Sequence, residues 1–130
     1  MTARQVLTAS QTEAEFQQAV VDLAHTRHWK VFHARTVQLS SGEYLTAQVG
    51  ESGFLDLVMA RAGRVILAEL KKIGGRPSPE QLAWLSALSG VKWTSRHTAV
   101  EFCAVDGMPA VTTVALWDPT CWDEIERVLR

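Results

Sequence analysis

Asp56, Glu69 and Lys71 are three charged side chains set in two otherwise apolar runs, residues 54–60 and 65–71. Runs this apolar read as buried strands, and a carboxylate pair beside a lysine is costly there unless a cation or a substrate compensates it. Two carboxylates suit a hard cation such as Mg2+ or Mn2+, which keeps several waters and completes its shell with substrate phosphate oxygens. Such an ion lowers the pKa of a bound water and stabilises the charge that builds on a phosphorane-like transition state. The lysine would then orient or deprotonate the attacking water, or neutralise charge at the phosphate. The same three charges also fit a plain ion-pair cluster at the end of a sheet, which does no chemistry.

The elements that must position these residues follow from the local pattern. Ala62-Gly63 is a two-residue turn between the runs, which therefore pair as an antiparallel hairpin. Side chains alternate with period two, placing Val65, Leu67, Glu69 and Lys71 on one face and Ile66, Ala68 and Leu70 on the other. Asp56, at the start of the first strand, meets the end of its partner. All three charges thus gather at one end of the hairpin.

Asp56 followed by Glu69-Leu70-Lys71 resembles the D…ExK core of the PD-(D/E)XK nuclease superfamily. The longer run, from Gly53-Phe-x-Asp56-Leu-Val through Val65-Ile-Leu-Ala-Glu-Leu-Lys71 to Gly75-Arg-x-Ser78-Pro-Glu-Gln81-x-x-Trp84-Leu85, is similar to the VRR-NUC branch, the virus-type replication and repair nucleases. One departure is Leu55, where the family usually has proline; proline there shapes the start of the strand and supplies no ligand. The resemblance covers roughly residues 12–90 and 114–130, leaving about 94–113 as a β insertion, a partner surface or a longer sheet edge. It implies an α/β class with a restriction-endonuclease-like fold, a mixed central β-sheet flanked by α-helices on both faces. It implies a metal-dependent, structure-selective DNA nuclease in which Asp56, Glu69 and the backbone carbonyl of Leu70 bind Mg2+ or Mn2+. Lys71 would serve the water or the phosphate, and Gln81 would stand near the scissile phosphate. The family also brings a glutamate from the first helix to the metal. So small a domain has little surface to grip a duplex, which favours a homodimer with two sites, suited to a branched or flapped substrate such as a Holliday junction. The competing reading is a DNA-binding or assembly module that kept the fold and does not cleave; intact Asp56, Glu69 and Lys71 speak against it.

Around this centre the chain divides readily. Residues 1–9 carry no periodic signal and read as a tail before a single domain over 10–130. A helix is expected from Ser10 to about His28, with Phe16, Val20, Leu23 and Ala24 at helical spacing. Two capping boxes compete at its start, Ser10 with Glu13 and Thr12 with Glu15. Glu13 falls on the Phe16–Val20 face and is expected to be the inward acid and metal ligand; Glu15, among polar neighbours, is the alternative and the expected cap. Residues 29–33 read as a strand, and the polar stretch 34–52, with a turn at Ser40-Ser-Gly42, as a substrate-facing loop or small hairpin. Ser78 caps a helix that ends at Gly90, with Leu82, Leu85 and Leu88 inward; Ser78 with Gln81 is itself a capping box. Strands are expected at 91–93, 100–105 and 110–117, the last two joined through Asp106-Gly107. Asp118-Pro119 opens a final helix carrying Trp122, Ile125, Val128 and Leu129.

Composition bounds the partners. The chain has 130 residues, 47% of them hydrophobic, enough for one domain with a real core and too few for two. No apolar run is long enough to span a bilayer and no signal-peptide pattern opens the chain, so a cytoplasmic location is expected. Cys103 and Cys121 lack the spacing of a zinc site or a disulfide framework. A net charge of −1 argues against nonspecific coating of nucleic acid, although basic clusters occur locally. His33, Arg35, Tyr44, Lys72 and Arg76 are the expected DNA contacts.

Overall fold

A hairpin of two strands, β4 (Leu57–Arg61) and β5 (Arg64–Leu70), forms the middle of the sheet. Its turn residues Ala62 and Gly63 both have positive φ, 49° and 80°, the twist-matched geometry of a tight two-residue hairpin. The computed structural model describes residues 11–33, 36–46, 50–93, 99–103 and 111–130. Before the hairpin come α1 (Glu13–Thr26), β1 (Lys30–His33), β2 (Thr36–Gln38) and β3 (Tyr44–Thr46). After it come α2 (Pro79–Ser89), β6 (Ala99–Cys103), β7 (Val111–Trp117), a 3-10 turn (Pro119–Cys121) and α3 (Trp122–Val128).

The main sheet has the order β1-β4-β5-β7-β6; β5 and β7 run parallel and every other neighbouring pair antiparallel. Parallel pairing needs a crossover, and α2 lies within it. β2 and β3 pair separately as a small hairpin around Ser40-Ser-Gly42. The architecture is a mixed α/β sheet with helices on both faces, as expected.

Period-two alternation gives the sheet two apolar faces, and each has its own helices. Ile66, Ala68, Leu70, Leu57, Met59 and Trp117 meet Phe16, Val20 and Ala24 of α1, with Ile125 and Leu129 at the end of the chain. On the other face Leu67, Val114 and Leu116 meet Leu82, Leu85 and Leu88 of α2, with Leu55 and Trp93. α2 is held in place at both ends. The Ser78 hydroxyl accepts from Gln81 N while Gln81 returns its side chain to the Ser78 backbone, and Gly90 closes the helix at φ 75°.

Arg61 and Arg64 flank the hairpin turn, and both guanidinium groups lie over the Trp29 ring, 4.6 and 5.1 Å from its centroid. They also donate to main-chain oxygens at the end of α3 and after α1, Arg64 to Val128 at 2.6 Å and Arg61 to Arg27 at 2.8 Å. This end of the hairpin is a structural clamp.

Three expectations need correction. The first strand of the hairpin begins at Leu57, so residues 54–56 lie outside the ladder. Gly53 turns the chain there at φ 86°, and Leu55 packs in the second core while Leu57 and Met59 pack in the first. Residues 91–93 form no strand. Trp93 instead folds back on α2, its N–H meeting Ser86 Oγ at 3.1 Å and its indole meeting Ser89 Oγ at 2.7 Å. The first helix, expected from Ser10 to about His28, spans Glu13–Thr26, while its cap is the expected one, Thr12 with Glu15 in a reciprocal capping box. The expected tail at 1–9 and the turn at Asp106-Gly107 lie outside the described residues.

Candidate active site

The register fixes the site before any side chain is considered. Leu57 pairs with Ala68 and Val58 with Leu67, so one step further Asp56 falls opposite Glu69. Arg61 and Arg64 close the two-residue turn as a hydrogen-bonded pair, and hydrogen-bonded pairs recur every second residue. Leu57 and Ala68 are therefore such a pair, and the next would fall at Leu70. Its N–H, where the ladder has ended, is taken by the Asp56 carboxylate at 2.8 Å. The N–H and C=O of one strand residue point the same way, so the Leu70 carbonyl is directed toward the Asp56 side as well. This main-chain use of Asp56 has no signature in residue types; only register reveals it.

Glu69 is fully buried, as is Leu70, and its carboxyl is tied on one side only. Oε1 accepts from Gln81 Nε2 at 2.7 Å and lies 3.3 Å from Lys71 Nζ. Oε2 is enclosed without a hydrogen-bond donor, the one such side-chain atom among the described residues. Burial pushes the Glu69 pKa from 4.5 up to about 8; the Asp56 charge adds to the rise, and Lys71 partly offsets it. The Asp56 carboxylate lies close enough to Glu69 for its charge to oppose a second negative charge there. Two neighbouring carboxylates in a buried site disfavour double ionisation, and a proton or a cation relieves this.

Asp56, Glu69, Lys71 and Gln81 thus come together as expected, with the Leu70 carbonyl at the same strand end. Glu13 does not join them. Phe16, one turn further along α1, packs on the first core, whereas Glu69 and Gln81 belong to the face that α2 covers. Among the described residues no three His, Cys, Asp or Glu side chains gather into a metal-holding group. Glu15 is exposed and occupied by the Thr12 cap. Of the expected DNA contacts, His33 is exposed opposite Leu57, at the site's end of β1. Lys72 and Arg76 are exposed on the loop that follows Lys71. Tyr44 lies in β3, paired with Gln38. Arg35 lies outside the described residues.

No family model, curated protein or solved structure matches this chain. The resemblance to the PD-(D/E)XK nucleases therefore stands on the residues that carry it.

Those residues fit a hard divalent cation. Oε2 of Glu69 is a buried oxygen in want of a positive partner, the Asp56 carboxylate lies close enough to raise the Glu69 pKa, and all the candidate donors are oxygens. Two carboxylates fall short of a cage. Mg2+ is usually bound in that way, by one or two carboxylates with substrate phosphates completing the shell.

Proposed function

We propose that this protein is a Mg2+- or Mn2+-dependent nuclease that hydrolyses phosphodiester bonds in DNA, selecting branched or flapped structures and working as a homodimer in the cytoplasm. The single observation that carries the reading is the fully buried Glu69 carboxyl, with Oε2 unsatisfied and the Asp56 charge close by, at the frayed end of an apolar hairpin. A structural ion-pair cluster would have been completed by a fixed cationic side chain. Here Lys71 is spent on the other oxygen.

Asp56 and Glu69 would hold the ion, with the Leu70 carbonyl beside them. When bound, the metal supplies an activated water and neutralises charge at the phosphate. The remaining roles belong to the chain itself. Gln81 holds the Glu69 carboxyl through Oε1, leaving Oε2 without a donor. Lys71, only 15% exposed, keeps its ammonium group at the site, where it can orient water or stabilise a phosphate oxygen. Lys72 and Arg76, exposed on the loop after Lys71, add positive charge near the site. The overall fold is the restriction-endonuclease-like arrangement in this reading, and the homodimer supplies the grip that one small domain lacks.

The test is cleavage of single-stranded, flapped, branched and blunt duplex DNA with Mn2+. Wild type is expected to cut at least one of these, and Asp56→Ala, Glu69→Ala and Lys71→Ala to lose about 100-fold or more, the scale of removing a metal ligand or a charge-stabilising group. Equal products from all four proteins would rule the reading out.

A further inference from the structure

We propose, building on the nuclease reading, that the uncovered half of the sheet face carrying Asp56 and Glu69 is a platform for single-stranded DNA, with the Phe32 ring stacking an unpaired base beside the phosphate to be cut. The face follows from parity and register. Val31 pairs with Met59, and both belong to the core under α1. Lys30 and Phe32 therefore point to the opposite face, where Phe32 pairs with Val58 and Val58 pairs with Leu67. Two residues beyond Leu67 on that face stands Glu69.

α2 covers only part of this face. Its leucines pack over Leu67, Val114 and Leu116 of β5 and β7. Over β1 and β4 the face is open: Phe32 is 66% exposed, the most exposed large apolar side chain among the described residues, and Lys30 and Ala60 are exposed too. An aromatic ring this bare on an edge strand buries little of its apolar surface in the core. Asp56 lies two residues before Val58, just beyond the end of β4, so at strand spacing Phe32 is roughly 7 Å along and one strand spacing, about 5 Å, across from it. One nucleotide bridges that gap.

The surrounding charge selects the occupant. Lys30 shares the face with Phe32, Lys71 stands beside Glu69, and Lys72 and Arg76 are exposed on the loop that follows. A polyanion with flat bases meets each of these features, with backbone phosphates on the cations and a base on the ring. A second copy of the chain fits less well. An isologous contact through Phe32 would bring the two Lys30 side chains near each other, and one large apolar side chain is far from the area a stable dimer buries. Stacking on a strand's exposed face requires an unpaired base, so the platform favours frayed, flapped or single-stranded segments over blunt duplex.

The experiment measures binding in the Asp56→Asn background, in which the amide oxygen can still accept from Leu70 N–H. Fluorescence anisotropy with labelled oligo-dT and with a blunt duplex is compared for that variant and for Phe32→Ala, Phe32→Leu and Phe32→Tyr added to it. Expected is a roughly ten-fold or greater loss of oligo-dT affinity for Ala and Leu, retention for Tyr, and duplex affinity within about two-fold throughout. A thermal melt of each variant checks the fold, and the exposed position should leave it unchanged. Unchanged oligo-dT affinity in Phe32→Ala overturns the platform, as does a dimer by light scattering that Phe32→Ala dissociates with equal loss on both DNAs. The two readings separate cleanly. Phe32-dependent binding by a wild type that cuts nothing with Mn2+ keeps the platform and removes the nuclease; cleavage with no Phe32 dependence of oligo-dT affinity removes the platform alone.

Discussion

Glu69 Oε1 takes two donors, Gln81 and Lys71, while Oε2 takes none, and this asymmetry decides what the residue does in the absence of metal. With its pKa raised from 4.5 to about 8, the folded protein holds a proton that the unfolded chain has lost across that range. The folded state then binds more protons than the unfolded one, so stability falls as pH rises from about 4.5 to about 8 and levels off above it. Urea unfolding of metal-free protein should show wild type a few kcal/mol less stable at pH 9 than at pH 6, an order of magnitude set by about 1.4 kcal/mol per pKa unit. Glu69→Gln, which cannot ionise and can still accept from Gln81, should remove most of this slope. A wild-type slope matched by the Gln variant would mean that Glu69 is not the titrating group. The Asp, Glu and Lys residue types were legible in the sequence, since charges in apolar runs stand out. The donor imbalance was not, because it depends on which oxygen each neighbour reaches.

At the scale of elements, the hairpin turn, the capped α2 and the final helix were all readable from turn residues, caps and periodicity. What the sequence did not disclose are the places where tertiary contacts override local pattern. Phe54 and Leu55 are as apolar as the strand that follows, yet residues 54–56 leave the ladder where Gly53 lies against α2. A Cβ at Gly53 would sit 2.6 Å from Glu80 Cβ and 2.9 Å from its backbone carbon. Gly53→Ala must therefore push the start of α2 away from the segment that carries Asp56, besides straining a backbone at φ 86°. Expected are a loss of about 1–3 kcal/mol in unfolding free energy and a disproportionate fall in Mn2+-dependent activity. Wild-type stability in this variant would show that the loop and helix are not in the close contact described. Glu13 illustrates the opposite failure. Helical spacing correctly put it on the Phe16 face, but spacing within one helix cannot say which face of the sheet that helix will cover.

For the whole molecule, one sheet separates two cores, and the candidate site sits where the smaller core ends and the open half of that face begins. α2 reaches the smaller core largely through Leu82, Leu85 and Leu88, of which Leu85 is completely buried. Leu85→Ala should cost about 2–5 kcal/mol, measured by urea unfolding, and should loosen the hold of Gln81 on Glu69; a cost below about 1 kcal/mol would contradict this placement of α2. The opposite end, clamped by Arg61 and Arg64 over Trp29, anchors the hairpin against the end of the chain. Among the described residues no helix is long and apolar enough to cross a membrane. The most direct measurement of the central claim is calorimetric titration of Mn2+ into wild type, Asp56→Asn and Glu69→Gln at pH 7, in two buffers of different ionisation enthalpy. Wild type is expected to bind Mn2+ and release close to one proton from Glu69 as it does so, and each variant to lose that binding. Absence of binding by wild type, or binding of equal strength by all three, would contradict a cation site between Asp56 and Glu69.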